Sequence, residues 1–317
     1  MPEHIKTFGA IVTGDDIKIQ HRNISGIKWK YKFFLWIVVI ALISIVGYAI
    51  YFYSSFTAFA KFLKEGDHIF YWMLLAGFCA EIVAGSMGMG YGVICTTVLL
   101  VMNIPPPVIS AGVHSAESFT CAAGSISHYK MGNVNKRLVR VLAVPAVLGA
   151  VAGAVLLTYV GKRYAEMTKP LIALYTMYLG IQILKNSFGK KKISSFKKKV
   201  NIPALGFVGG FIDSFGGGGW GPLVTGTFIK NGRTPRYVIG SSTVTKFILT
   251  LVSAITFIFI IGIHHWNIVV GLLMGGIVAA PFSAMLTTKL PVKKMFFLVG
   301  IVVILMSLVS IYKIVFA

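Results

Sequence analysis

Four charged side chains lie in stretches that are otherwise apolar: Glu81, Glu117, Asp213 and Lys246. Charge in such surroundings persists when it is paired or when it serves a ligand. Lys246 follows Glu117 by 129 positions, a separation that recurs through the chain. The two have two readings. They form a structural ion pair that relieves the cost of burying each partner, or Lys246 faces an anion and Glu117 modulates it. Ser110, His114 and Ser118 share one helical face at a spacing of four. A buried neutral histidine is the commoner case, and near mid-depth it can also carry a coupling proton. Ser86 and His114 have the residue types of a nucleophile and its base. Neither a Gly-x-Ser-x-Gly turn nor a His-Glu-x-x-His metal site accompanies them. Cys79, Cys95 and Cys121 all fall in apolar stretches, where cysteine acts as a small buried hydrophobe. The other histidines, including His264 and His265, read as loop residues.

The segments that must position these groups are broken by glycine. Residues 206–223 read GFVGGFIDSFGGGGWGPL, and residues 77–94 read GFCAEIVAGSMGMGYGVI. At the offset of 129, Gly77 meets Gly206, Gly88 meets Gly217, Gly90 meets Gly219 and Tyr91 meets Trp220. The register holds to Pro106 on Pro235 and, after one inserted residue, reaches Gly132 on Gly262. The chain is therefore a duplication. Four consecutive glycines do not suit a helix interior, where each costs about 1 kcal/mol relative to alanine. A break exposes backbone N–H groups, which attract anions where a helix starts, and glycine lets a small ligand approach the backbone. Candidate substrate contacts are thus Gly88, Gly90, Gly217, Gly218 and Gly219, with hydroxyls from Ser86 and Ser214. Tyr91 and Trp220 either wall the site or pack. Ser242, Thr243 and Lys246 join from the span that follows, and His114 from its counterpart. Glu81, Glu117 and Asp213 are candidate coupling or charge partners. Paired interruptions in corresponding halves point to a transporter's binding site. The alternative is that the glycines only permit close helix packing, which suits the small-xxx-small spacing of Gly149 and Gly153 better than four in a row.

Composition sets the frame. The chain has 317 residues, 56% of them hydrophobic and only 12% charged, against about 25% charged in a soluble chain. This is the composition of a polytopic membrane protein. The expected plan is a polar cytoplasmic tail (1–32) and one extra transmembrane helix (33–56). A first transmembrane repeat (70–185), a basic linker (186–201) and a second repeat (202–317) follow. Each repeat has a broken segment and three spans, at about 108–128, 142–160 and 170–185, then 237–261, 267–287 and 295–315. If each broken segment is a re-entrant hairpin, 23 of the 30 Lys and Arg residues fall on one face, in the tail and the stretches 130–140, 185–199, 230–236 and 289–294. That face is cytoplasmic by the positive-inside rule, and Ala317 is extracytoplasmic. Three spans per repeat invert the halves, so the hairpins enter from opposite faces and their tips meet at mid-depth. The fold class is all-α: an inverted repeat of three spans plus a Gly-rich re-entrant hairpin per half.

The duplicated Gly-rich segments, the Gly206–Gly221 string with Asp213, and the Gly-Ser-Ser-Thr243 start of the next span resemble the TauE/SafE family of sulfite exporters. The resemblance covers roughly residues 70–315. It implies a transporter of sulfite, sulfonates or related sulfur-containing anions, including thiosulfate, in the cytoplasmic (inner) membrane. The first repeat has Ser86-Met-Gly-Met where the second has Phe215-Gly-Gly-Gly, and only the first has His114, so the two hairpins contribute unequally.

The leading function is secondary transport of a small oxyanion. No Walker A sequence is present, so coupling falls to an ion gradient, with protons as the candidate ion, or to the substrate's own gradient. An anion channel is the nearest rival, and an intramembrane enzyme the rival from another class. No cofactor is expected. Partners are the anion, membrane lipid and a second copy in a homodimer. The net charge of +21 fits loops that face anionic lipid rather than nucleic acid.

Overall fold

The computed structural model describes residues 68–87, 89–188, 200–262, 266–289 and 292–316. The expected tail, extra span, central linker, Gly88, His264, His265 and Ala317 lie outside the described residues, or nearly so for the linker. Within them the fold is all-helical, with no strand. The first half contains α1 (Ile69–Met87), α2 (Tyr91–Val101), α3 (Pro106–Lys130), α4 (Lys136–Arg163) and α5 (Ala165–Phe188). The second contains α6 (Ile202–Gly216), a π-helical turn (Gly221–Thr225), α7 (Gly226–Lys230), α8 (Pro235–Ile261), α9 (Trp266–Lys289) and α10 (Val292–Phe316). The breaks fall where the glycines cluster. Each of the six spans expected in the two repeats appears as a helix, lengthened at one or both ends. The expected loop 161–169 shrinks to Tyr164, because Thr168 and Glu166 start α5 early, with an acid in the first turn where the helix dipole favours one.

The duplication is written in the backbone as well as the sequence. Left-handed residues recur at the repeat offset: Gly90 (φ 109°) with Gly219 (φ 144°), and Asn103 (φ 63°) with Gly232 (φ 76°). After the inserted residue, Gly132 (φ 66°) pairs with Gly262 (φ 73°). Gly90 and Gly219 each precede the second arm of a broken segment, where only glycine takes such a φ at little cost.

The halves also exchange partners reciprocally. α1 packs on α9 and α6 on α4, while the equivalent pairs α3 with α8 and α5 with α10 pack on each other. In α1, Gly77 lies on the Leu272 carbonyl of α9; its counterpart Gly206 in α6 lies on the Leu142 carbonyl of α4. Gly149 and Gly153 do what their spacing suggested, receiving the backbone of Phe207 and Phe211. α8 runs antiparallel to α3. Arg236, at its start, bonds Asn133 and donates to the Met131 carbonyl (3.0 Å) beyond the end of α3, and Lys246 meets Glu117 midway.

Among the described residues, three helices are long and apolar enough to cross a membrane: α4, α8 and residues 296–316 of α10. α3 has 25 residues, about 37 Å at 1.5 Å per residue, but it carries inward-facing polar groups. The outer faces are apolar, with Val144, Leu148 and Phe259 among the exposed side chains, as lipid contact requires. The chain is a multi-pass membrane protein. Cys95 is buried, whereas Cys79 is exposed on α1, so not all three cysteines are core residues.

The glycine contacts make a direct stability prediction. A methyl group at Gly210 would collide with the Ala146 carbonyl, whereas at Gly226 it meets only the Gly221 carbonyl at 3.6 Å. Gly210→Ala should cost about 1–3 kcal/mol or more and lower the yield of monodisperse protein in detergent. Gly226→Ala should leave it unchanged.

Candidate functional site

Glu117 and Lys246 meet where α3 and α8 cross. The Lys246 ammonium donates to Glu117 Oε1, and their side chains are only 11% and 3% exposed. In low dielectric each needs the other, since a lone buried charge costs several kcal/mol. Beside them is a cavity of about 140 Å³. It is lined by Glu81, Ala84 and Gly85 from α1, by Met89, Tyr91 and Trp220 from the two breaks, and by Ser242, Thr243 and Lys246 from α8. α3 supplies Glu117, Thr120, Cys121, Gly124 and His128.

The two aromatics at equivalent positions, Tyr91 and Trp220, both wall this cavity and both pack, being almost fully buried. Trp220 Nε1 donates to Ser242 Oγ (2.8 Å), which also bonds Thr225 Oγ1 (2.5 Å). Tyr91 OH donates to the Leu272 carbonyl (3.3 Å).

The glycine tips do not line the cavity. The Gly217–Gly218 backbone lies directly against Gly92, so the two breaks touch each other. Thr96 Oγ1 donates to the Gly217 carbonyl and Tyr175 OH to the Gly218 carbonyl, both at 2.8 Å. The helix start offered to an anion at the second break is taken by the chain itself: Asp213 Oδ1 accepts from Trp220 N–H at 2.7 Å.

Behind the cavity lies a second group. His114 Nε2 meets the Asp213 carbonyl (3.2 Å), its ring stacks on Phe257, and Ser214 bonds Ser253 (2.5 Å). His114, Asp213 and Ser214 are therefore together but outside the cavity wall. The side chain of Ser86 is outside the described residues.

His128 corrects its reading as a loop residue: it ends α3 and lines the cavity. With Thr120, Cys121 and Gly124 it continues the Glu117 face at helical spacing, a signal present in the sequence. Thr96 and Tyr175 carry no such signal, because only the tertiary fold brings them to the tip.

A family model described as "Sulfite exporter TauE/SafE" matches residues 73–310. The chain belongs to the TauE/SafE family. Similarity also extends to a curated relative, the "Probable membrane transporter protein YtnM" of Bacillus subtilis (strain 168). The two are 37% identical over 241 residues, covering 73% of this chain and 79% of the relative. No solved structure matches the chain. The TauE/SafE match begins inside α1 and ends inside α10, so both broken segments and the ion pair fall within it.

Removing one partner of this ion pair strands the other. Lys246→Met should destabilise the protein by about 3–5 kcal/mol, seen as loss of folded protein in fluorescence-detected size exclusion. Adding Glu117→Gln should recover most of that loss.

Proposed function

We propose that this protein is a secondary transporter, not an enzyme. It moves a small sulfur-containing anion, sulfite or a related sulfonate or thiosulfate, across the cytoplasmic membrane by alternating access. Its family membership and the name of its Bacillus relative support the class. The observation that carries the site is Lys246, a buried ammonium that lines a cavity at the seam of two broken segments. An ammonium has three donors and Glu117 Oε1 takes one. An anion in the cavity competes for the rest, with Thr243 and Ser242 beside it.

The repeat supports alternation around this point. Position by position, the cavity-lining Ala84, Gly85 and Gly124 correspond to Asp213, Ser214 and Ser253, and Thr243 to His114. The mate of the cavity is thus the region behind it, where larger side chains fill the space. One side is open and its equivalent is closed, with Glu117 and Lys246 between.

The hairpin topology belongs to the same proposal. The second arm α2 has 11 residues, about 17 Å, roughly half of a 30 Å hydrocarbon core. Lys169 Nζ donates to Asn103 Oδ1 (2.6 Å) and Lys313 Nζ to the Val101 carbonyl (3.3 Å). These contacts bring residues 101–103, the start of α5 and the last turns of α10 together, which supports an exit of the first hairpin at that end. The exit of the second hairpin, at Arg236, meets Asn133 and Met131 at the end of α3. An alkaline phosphatase fused to the C-terminus should be active and a fluorescent protein there dark; the reverse pattern defeats the hairpins.

Transport is tested in proteoliposomes with labelled sulfite, thiosulfate, sulfate and a sulfonate. Uptake of a sulfur anion should saturate and be stimulated by the same anion inside, as a carrier's is. In the double variant Lys246→Met with Glu117→Gln, uptake should fall at least about tenfold although the protein folds, because an anion needs compensating charge in low dielectric. Full uptake by the folded double variant removes Lys246 from the site.

A further inference from the structure

Three acidic or basic side chains meet at the edge of the cavity, Glu117 in its wall and His114 and Asp213 outside it. His114, Glu117 and Asp213 are 0%, 2% and 0% exposed, and one ligand-type atom from each lies within 4.8 Å of the others. Three polar atoms of the same residues, His114 Nδ1, Glu117 Oε2 and Asp213 Oδ2, have no hydrogen-bond partner among the described residues. All three are acceptors. A carbonyl can only accept, so the contact between His114 Nε2 and the Asp213 carbonyl puts the neutral ring's proton on Nε2. That leaves Nδ1 as a bare lone pair beside two carboxylate oxygens. Buried acceptors without donors are costly, and here they are gathered together.

Charge points the same way. Glu81, Glu117 and Asp213 face one ammonium, Lys246. The other titratable groups facing the cluster or lining the cavity are Tyr91 and Cys95 from the first break, Cys121 and His128 on α3 and Tyr175 on α5, all mostly neutral at pH 7 in their ordinary state. The surroundings of the cavity are therefore short of positive charge, which opposes entry of an anion. The gathered orphan acceptors call for a positive charge that can donate a hydrogen bond. A metal ion takes about four to eight ligands, more than the three atoms present, whereas a proton needs one donor and one acceptor.

We propose that His114, Glu117 and Asp213 hold one shared proton, bound together with the anion, so that this cluster is the coupling site of the transporter. The inference rests on the transport reading above. The balance is simple: one proton joins a carboxylate or Nδ1 from the side where the anion enters and leaves with it on the other side. Protonating Glu117 neutralises the partner of Lys246 and frees the ammonium for the anion. Deprotonation restores the ion pair and displaces the anion. Anion affinity therefore rises as pH falls. The cluster joins the two halves, since His114 and Glu117 come from the first repeat and Asp213 from the second.

The decisive test reads the proton without any anion. Infrared difference spectra of the purified full-length protein, between about pH 5 and about pH 8, should show the carbonyl band of a protonated buried carboxyl. The band should vanish or shift in Asp213→Asn, which keeps the Trp220 bond through its side-chain oxygen, and shift in His114→Gln. No such band in the wild type overturns the proposal, whether or not the variants fold. A band unchanged in both variants also overturns it, since that proton would belong to Glu81. The second measurement is sulfonate uptake into proteoliposomes, chosen because a sulfonate carries no proton of its own. Uptake should rise several-fold with acidification, and Asp213→Asn should flatten the profile. A titrating band without sulfonate movement would defeat the transport reading and leave the proton site standing. Uptake indifferent to pH would defeat coupling.

Discussion

A carboxylate and an ammonium are buried against each other midway along two antiparallel helices, and much of the fold follows from that placement. Neither charge is tolerable alone at such depth, so α3 and α8 must hold their register wherever Glu117 and Lys246 meet. The flanking contacts keep that register. Gly124 lies against Thr243, Ser125 donates to the Thr243 carbonyl, and Asn135 N–H donates to Ser241. Such a pair rarely stabilises more than well-packed apolar residues would. Its presence in an otherwise apolar bundle is better explained by what the ammonium can do when its partner changes.

The breaks are held by different means from the spans. Two unwound segments that touch at Gly92 and Gly218 expose carbonyl and N–H groups far from water, where irregular backbone must be satisfied by protein. Thr96, Tyr175 and Asp213 satisfy it. Shape is shared between the halves, but chemistry is not. Where the second repeat has Asp213 the first has Ala84, and where the first has Glu81 the second has Gly210. The equivalent positions therefore carry different chemistry, with Ala84 in the cavity wall and Asp213 in the polar cluster beside His114.

Much of this was legible in the sequence because the duplication could be read twice. The offset located both breaks and paired Glu117 with Lys246, since equivalent spans of a duplicated fold approach each other. It also carried Tyr91 onto Trp220. What was not legible was which polar groups the chain itself would consume. Asp213 reads from the sequence as a coupling or charge partner, and one of its oxygens is also spent capping the Trp220 segment. The glycine tips looked like ligand contacts, yet they are the surface on which the two halves meet. Hydrogen-bond competition of this kind depends on neighbours distant in sequence, and periodicity does not report it. His128 is a different case, because its helical spacing from Glu117 was visible and the expected span already reached it.

The ion pair also answers a difficulty that faces any anion carrier. A lysine awaiting an anion in a low-dielectric site would be an unpaired buried charge for half of each cycle. On the proposed reading, Glu117 removes that cost by standing in for the anion when the site is vacant. The substrate must then displace a carboxylate held by the fold, and its affinity is the difference between two good interactions rather than the sum of one. Differences of that size are what let a small anion bias two conformations of similar energy, because a ligand shifts an equilibrium only by its differential affinity. In the proposed alternating cycle the two conformations would correspond to the two equivalent sides of the repeat, the cavity on one and the polar cluster of His114, Asp213 and Ser214 on the other. Exchange of the partner of Lys246, carboxylate for anion, is a local event that both halves feel, because one partner is contributed by each.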